Sequence, residues 1–531
     1  MDSIAIHNLR SLKDTGDITL KPINILVGTN SSGKSTLLRV FPLLRQSVER
    51  KTMGPILWNG EYTDFGSFET SLCRYSREAT ERLEEDNHIS FDFEFSIPKE
   101  TYTPYRRKGR EDQAKTKIKA SIKIKKGHFT DSSYTSEYKI IINKNKVVFE
   151  LDEMGVIGRI SSPTLYWELR KQEIKYQRTI KDTLLPVFIN INLDNPYTFF
   201  SEKGQIADAL LKQIKRKLTE YSGSSSESKT HDIAKNLTRK LETPPERLVR
   251  IKAISSTMKF RQKTQNWDIS NREFIFLSAL IDWYFIVNNS FVINNEITKT
   301  LKNIHYIAPL RASTERYYRY QDLGVDEIDH KGSNLAMFIR NIYHIDRISL
   351  NDWTKENFDF VIENSDDSDS HLSIKISRGD GYSYNISDMG FGYSQILPII
   401  VQLWAISSGY ELRMKNNGVQ DNELTSVIVA IEQPELHLHP KMQADIAIVL
   451  SKAIKLAKEN NIDLKLIIET HSQTLISKLG DMICSGDEIK SNDVNIILFE
   501  QDNKKPLTKI SYSSFNTDGV LKNWPYGFFN Y

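Results

Sequence analysis

The sequence predicts an α/β fold in which a phosphate-loop nucleotide-binding unit is split in sequence around a mixed β and helical insertion. Three observations predict it. A β-rich run at Ile23–Val27 leads into a glycine-rich loop and then a helical pattern from Ser35. A second apolar run, Ser426–Ile431, has the composition of a buried parallel strand and ends in acidic residues. Between them lies a stretch of period-two strands and basic helices with no nucleotide motif. The sequence therefore divides into an N-terminal part of the nucleotide-binding head at 1–95, an insertion at 96–300 and a C-terminal part at 301–531.

Ile4, Ile6 and Leu9 read as a short strand, followed by a turn at Asp14–Gly16 and β-rich residues at Ile18–Leu20. The helix after the glycine loop covers Ser35–Leu44 and is expected to break near Pro42. Phe91, Phe93 and Phe95 alternate, as do Ile118, Ala120, Ile122 and Ile124, the latter between lysines. Residues 205–220 form a basic amphipathic helix with Ile206, Leu210, Leu211, Ile214 and Leu218 on one side. Tyr221–Thr230 reads as a serine-rich loop, and a helix over Asp232–Leu241 stops before Pro244 and Pro245. Phe274–Phe285 is apolar enough for a buried helix. Downstream, Met442–Ala457 is a helix, and Leu464–Glu469 and Val494–Phe499 are further strands.

Composition narrows the class. Of 531 residues, 39% are hydrophobic and 26% charged, so the chain can bury a core. The net charge of +3 is too small to argue nucleic-acid or membrane binding by itself. The apolar stretch Ile396–Ile406 is too short to span a bilayer, and the N-terminus lacks a signal-peptide pattern, so a cytoplasmic location with no membrane partner is expected. Two cysteines, Cys73 and Cys484, cannot build a disulfide framework. Local charge is uneven: Arg106–Lys126 holds ten basic and two acidic residues. Such a run can hold a phosphate backbone, or it can be a solvated strand face protected by lysines.

Gly28-Thr29-Asn30-Ser31-Ser32-Gly33-Lys34-Ser35 fits G-x-x-x-x-G-K-[ST] between a strand and a helix. The glycines let backbone N–H groups turn inward at phosphate oxygens, and the helix N-terminus adds positive potential. Lys34 would reach the β- and γ-phosphates, and the Ser35 hydroxyl would be a Mg²⁺ ligand. Asn30, Ser31, Ser32, Gly33 and Thr36 complete the cradle. The strand 427–432 ends in Glu432, whose carboxylate can hold Mg²⁺ opposite Ser35.

Taken together, Ile431-Glu-Gln-Pro-Glu-Leu-His-Leu-His-Pro440, Glu469-Thr-His-Ser472 and Gly390-Phe-Gly-Tyr-Ser-Gln-Ile-Leu-Pro398 resemble the Walker-B/D-loop, switch-histidine and signature regions of ABC-type ATPase heads of the SMC and OLD (overcoming-lysogenization-defect) group. The opening Ile4–Thr36 fits the same group. The tail Trp524-Pro-Tyr-Gly-Phe-Phe529 resembles AAA-type ATPases of prokaryotic mobile elements and phage-defence loci, similar to PtuA-like and retron-associated ATPases. The resemblance implies an ATP- and Mg²⁺-dependent ATPase whose two heads sandwich two ATP molecules, as a homodimer or higher oligomer. Gly392, Ser394 and Gln395 would meet the γ-phosphate bound to the opposite head, and His471 would sense it. Gln46 is a poor candidate for the Q-loop glutamine.

In that group a glutamate normally follows the magnesium-holding acid, and here Gln433 stands in its place. An amide can orient water but cannot accept a proton at neutral pH. Either Glu435 is the base or hydrolysis is slow. His437 and His439 read as D-loop residues rather than a metal pair, since no further ligands lie near them in sequence. Arg311, beside Arg316, would pair with phosphate or with a carboxylate that holds the lobes together.

After His471 the 60 remaining residues leave no room for the nuclease domain that OLD-type proteins carry. The expected role is therefore regulation or scaffolding of a separate effector, a nuclease or toxin-like chain, in antiphage defence. The alternative is a DNA repair or maintenance ATPase that holds nucleic acid through Arg106–Lys126.

Overall fold

The computed structural model describes the chain apart from residues 74–86, 100–114, 129–131, 169–176, 180–182, 191–204, 224–226, 255–256, 310, 312–314, 320–323, 368–370, 380, 416–423, 487, 502–506 and 526–531. The tail after Pro525 thus lies outside the described residues, as does the part of the basic run before Lys115. The chain divides into two units. One comprises Met1–Thr19, Gln46–Gly60 and Asp64–Lys302, the other Leu20–Arg45, Glu61–Thr63 and Asn303–Tyr531. Met1–Thr19, which the sequence division groups with the phosphate loop, belongs to the first unit.

The first unit is built on an antiparallel sheet. Its order is Leu165–Glu168, Ile157–Ser162, Asn145–Leu151, Ser133–Ile142, Lys115–Lys126, Ile89–Pro98, Ser3–Leu9 and Leu12–Asp14, with Ile18–Thr19 also on Ser3–Leu9. The period-two pattern explains the register. Phe91 lies opposite Ile122, Phe93 opposite Ala120 and Phe95 opposite Ile118, all buried on one face. The lysines on the other face are largely neutralised. Lys117 pairs with Asp2 at 2.8 Å, Lys119 with Asp17 and Asp92, Lys123 with Glu137 at 3.1 Å, and Lys126 with Glu69.

Among the described residues six helices follow in this unit, from Gln205–Ser222 to Ser290–Lys302. Ile206, Leu210, Ile214 and Leu218 are buried, whereas Leu211 is only half-buried. The expected loop at 221–230 is much shorter. Tyr221 is a buried helical residue whose hydroxyl donates to Glu273 at 2.6 Å, and a new helix begins at Glu227. The apolar helix Arg272–Asn288 is capped by Asn271, whose side chain accepts from the amides of Glu273 and Phe274. One polar pair sits in this core: Arg247 and Asp282, 2.6 Å apart, with side chains 1% and 3% exposed.

The second unit carries a seven-stranded sheet in the order Ile304–Ile307, Thr425–Glu432, Ile462–Glu469, Ile23–Gly28, Val494–Gln501, Thr508–Phe515 and Leu521–Lys522. The first five strands are parallel and the last two antiparallel. The parallel strands are mostly apolar and buried because both faces are covered, with a few buried polar residues such as Asn24, His305 and Glu469 among them. Helices Phe391–Ser407 and Pro440–Glu459 pack their apolar residues into the same core, with Trp404, Leu403 and Leu450 fully buried. A four-stranded sheet of Tyr318–Arg319, His371–Ser377, Val361–Asp367 and Ser383–Asn385 completes the unit. The helix after the glycine loop runs unbroken over Lys34–Glu49 through Pro42. The flanking Phe41, Leu43 and Leu44 are fully buried, so packing of the apolar face outweighs the hydrogen bond that proline removes. Among the described residues no single helix is long and apolar enough to cross a membrane.

Candidate functional site

Parallel pairing sets the geometry of the site. Glu432 and Glu469 are register partners at the carboxyl ends of neighbouring strands, and Glu469 is in turn aligned with Leu26 of the phosphate-loop strand. Gly28 closes that strand opposite Phe499. The carboxyl edge of a parallel sheet is where α/β folds bind ligands. A Cβ at Gly28 would lie 2.2 Å from the Phe499 carbonyl oxygen, so only glycine lets the loop leave the strand here. Gly33, with φ of 102°, turns the chain into the helix. Asn30 and Ser31 are exposed at the tip, Ser31 with φ of 62°, while Ser32 is buried and its Oγ has no hydrogen-bond partner among the described residues.

Lys34 is 3% exposed, and its ammonium donates to the carbonyls of Gly28 (3.0 Å) and Thr29 (2.7 Å). Burial lowers its pKa, opposed by the nearby Glu469 and Glu435 carboxylates. Ser35 Oγ donates to Glu469 Oε1 at 2.9 Å. Glu432 is held differently: Arg39 donates to both of its oxygens, at 2.9 and 2.6 Å, and Tyr306 donates its hydroxyl at 2.7 Å. Arg39 follows Ser35 by four residues, so both project from one helix face. The hydrogen bond to Glu432 raises the Arg39 pKa further.

Glu469 is the residue that sequence reasoning missed at this corner, together with Arg39 and Tyr306. The available signal was a glutamate closing a buried strand next to the one that ends in Glu432. Burial pushes its pKa up to about 7, with the Glu432 charge adding to the shift, while Ser35 and Lys34 oppose it. Its Oε2 is buried without a hydrogen-bond partner among the described residues. An unpaired carboxylate oxygen next to a serine hydroxyl and a second carboxylate is an oxygen-rich donor set of the kind Mg²⁺ takes. Ser35, Glu469 and Glu432 thus fit the ion.

The segment after Glu432 turns sharply. Gln433 has φ of 45° and its amide donates to the Glu469 carbonyl at 2.9 Å. Glu435 Oε1 accepts from the His471 amide at 2.6 Å, and its Oε2 is buried and unpaired among the described residues. Burial raises the Glu435 pKa. Burial, and then Lys34, lower that of His471, whose imidazole therefore lies within electrostatic reach of the phosphate-loop lysine. Lys34, Ser35, Glu432, Glu435, Glu469 and His471 converge on one edge of the sheet; Gln433 stands between two of them.

Gly390, with φ of 89°, opens the helix Phe391–Ser407, so Gly392, Ser394 and Gln395 occupy its first turns. A Cβ at Gly392 would press on the Met442 side chain at 3.0 Å, and Gln395 donates to the Arg311 carbonyl at 3.4 Å. Arg311 donates to the carbonyls of Ala308 (3.2 Å) and Pro434 (3.4 Å) and makes no ion pair with a carboxylate among the described residues. Burial pulls its pKa down to about 10, opposed by Glu435. Arg316 pairs with Asp388 at 3.0 Å. His439 caps the next helix, its Nδ1 accepting from the Lys441 amide. Gln46 is buried and donates to the Leu57 carbonyl.

A search of curated proteins gives no match. Among solved structures, the SMC head bound to the C-terminal winged-helix domain of ScpA aligns with 97% of this chain and 97% of its own, at 9% identity and a TM-score of 0.29. The SMC head domain from Thermotoga maritima aligns with 96% of this chain and 98% of its own, at 8% identity and a TM-score of 0.34. The family model described as AAA ATPase domain matches residues 1–476. That span contains the phosphate loop, Glu432, Glu435, Glu469 and His471, and the chain belongs to the AAA ATPase domain family.

Proposed function

We propose that this ATPase binds MgATP at the phosphate loop, hydrolyses it slowly, dimerises while ATP is bound, and regulates or scaffolds a separate effector in antiphage defence. The convergence of Lys34, Ser35, Glu432, Glu435, Glu469 and His471 at the carboxyl edge of the parallel sheet carries the reading. Lys34, now satisfied by two loop carbonyls, would transfer its hydrogen bonds to phosphate oxygens. Mg²⁺, held by Ser35, Glu469 and Glu432, would neutralise charge on the phosphates. Gln433 orients the attacking water without taking its proton, and the buried Glu435, with one oxygen unpaired among the described residues, is the group that can take it. The Lys34 charge lowers the His471 pKa after burial does, which supports a γ-phosphate sensor role for His471.

Dimerisation, the contact of Gly392, Ser394 and Gln395 with the opposite nucleotide, and the effector role rest on the resemblance to the SMC and OLD group. Direct action on DNA has weaker support, because four lysines of the basic strand are already paired with acids of their own unit. The test is the Lys34→Ala variant beside the wild type. Mass by light scattering with and without MgATP, nucleotide affinity, and co-purified chains are measured. The reading requires an ATP-dependent dimer that is lost in the variant and a stoichiometric effector chain. Unchanged nucleotide binding in Lys34→Ala would refute it.

A further inference from the structure

Apart from the nucleotide edge, the second unit buries a cluster that ATP chemistry does not use. His305, on the strand Ile304–Ile307, is 3% exposed, and Glu411, on the helix Tyr410–Lys415, is 1% exposed. Glu327 completes the group, and one ligand atom from each residue lies within 4.8 Å of the other two. His305 Nδ1 is 3.0 Å from Glu327 Oε1 and 3.5 Å from Glu411 Oε2. Yet Nδ1 makes no hydrogen bond among the described residues, and neither do both oxygens of Glu411. His305 Nδ1 thus leans on Glu327 as an ion-pair contact, while both Glu411 oxygens lie in the core unsatisfied.

The local cations do not resolve this. Arg45 donates to both oxygens of Glu327, at 2.5 and 2.8 Å, and Lys415 reaches the same carboxylate at 3.0 Å. Arg45 also donates to the Ile304 carbonyl at 2.6 Å, and neither cation hydrogen-bonds Glu411, which lies deep in the core with no hydrogen-bond partner among the described residues. Buried carboxylates are kept only when neutralised, by a proton, a cation or a metal.

We propose that His305 Nδ1, Glu327 and Glu411 bind a first-row divalent cation of the Zn²⁺ class. One imidazole nitrogen and two carboxylate oxygens form a three-ligand set that zinc accepts, with water in a fourth position. A tetrahedral site with bonds of 2.0–2.1 Å has ligand-to-ligand edges of about 3.3 Å. The observed separations of 3.0 and 3.5 Å bracket that edge. Glu327 oxygens that accept from Arg45 and Lys415 keep lone pairs for a metal. The cation's place in the fold gives it a structural role. His305 precedes Tyr306, which holds Glu432, and Arg45 shares a helix with Lys34, Ser35 and Arg39. The ion would fix the strand and helix that present the nucleotide-binding groups.

The test uses the full chain, nucleotide-free, stripped with chelator and then dialysed against Zn²⁺. Elemental analysis should find one equivalent, retained in Glu469→Gln and lost in Glu411→Gln, and Zn²⁺ should raise the melting temperature of the wild type but not of Glu411→Gln. Should Glu411→Gln fail to fold, Co²⁺ replaces Zn²⁺ in the wild type, and the visible absorption of a low-symmetry nitrogen–oxygen site is the expected result. No metal uptake, uptake unchanged in a folded Glu411→Gln, or no Co²⁺ bands would overturn the proposal. So would a protonated-carboxyl infrared band from Glu411 that persists in excess Zn²⁺.

Discussion

Ser35 Oγ donates to Glu469 Oε1 at 2.9 Å across 434 residues of sequence. The bond ties the first turn of the phosphate-loop helix to the end of a strand on the far side of the insertion. It also puts a second carboxylate beside the phosphate-loop serine, distinct from Glu432, which Arg39 and Tyr306 already hold. Glu469→Gln should therefore weaken Mg²⁺-dependent nucleotide binding by at least about 10-fold, since loss of even an outer-shell partner of a metal costs about 10–100-fold. Nucleotide affinity in excess chelator should change little, because Lys34 and the loop amides are untouched. Titration of a fluorescent ATP analogue at several Mg²⁺ concentrations measures both, and an unchanged Mg²⁺ dependence would argue that Glu432 alone holds the ion.

The same carboxylate should make the nucleotide-free protein sensitive to pH. Its pKa rises from 4.5 to about 7 on folding, chiefly through burial. The folded state then binds more protons than the unfolded one between those values. Stability from this group is fully present below about pH 4.5 and is lost as pH rises through about 7. At 1.36 kcal/mol per pKa unit the loss is on the order of 3 kcal/mol at most. Denaturant midpoints of the wild type minus those of Glu469→Gln, measured without Mg²⁺ from pH 5 to 8, should fall as pH rises. A flat difference would show that the carboxylate stays ionised in the fold.

Gln433 sits where a general base would be expected, with φ of 45° imposed by the turn that brings its amide to the Glu469 carbonyl. Turnover of the wild type should fall below about 10 s⁻¹, the median for enzymes. Gln433→Glu should raise kcat, by about 10²-fold where proton transfer limits the rate. Glu435→Gln should lower kcat in the wild type and have a smaller effect in the Gln433→Glu background. Single-turnover assays separate these effects from product release.

The phosphate loop and the two acidic-ended strands were readable because their signals are local: a fixed glycine spacing, and apolar runs that stop at a charged residue. The role of Glu469 was not readable in this way. Its meaning depends on strand order, which sets Ile462–Glu469 between Thr425–Glu432 and Ile23–Gly28. Arg39 carries no local signal at all, because its partner Glu432 lies 393 residues away in sequence. Pro42 misled in the opposite direction, since tertiary packing kept its helix intact. Likewise the lysines of 115–126 read as a basic run because their partners, Asp2, Asp17, Glu69 and Glu137, come from other segments.

The first unit has its own point of weakness. Arg247 donates to Asp282 Oδ1 at 2.6 Å and to the Ser278 carbonyl at 3.0 Å, and Asn145 donates to the other Asp282 oxygen at 2.8 Å. These bonds join the helix Pro244–Ala253, the helix Arg272–Asn288 and the strand Asn145–Leu151. Both side chains of the ion pair are almost fully buried. Removing one partner leaves the other charge in the core uncompensated, so Asp282→Ala should cost about 3–5 kcal/mol. Replacing both with apolar residues, as in Arg247→Met with Asp282→Leu, should cost much less, because no charge is stranded. Chemical denaturation followed by tryptophan fluorescence is a suitable measurement, since Trp283 adjoins Asp282 in sequence and is fully buried. Equal losses in the single and double variants would mean that the packing of these three elements, rather than the stranded charge, sets the cost.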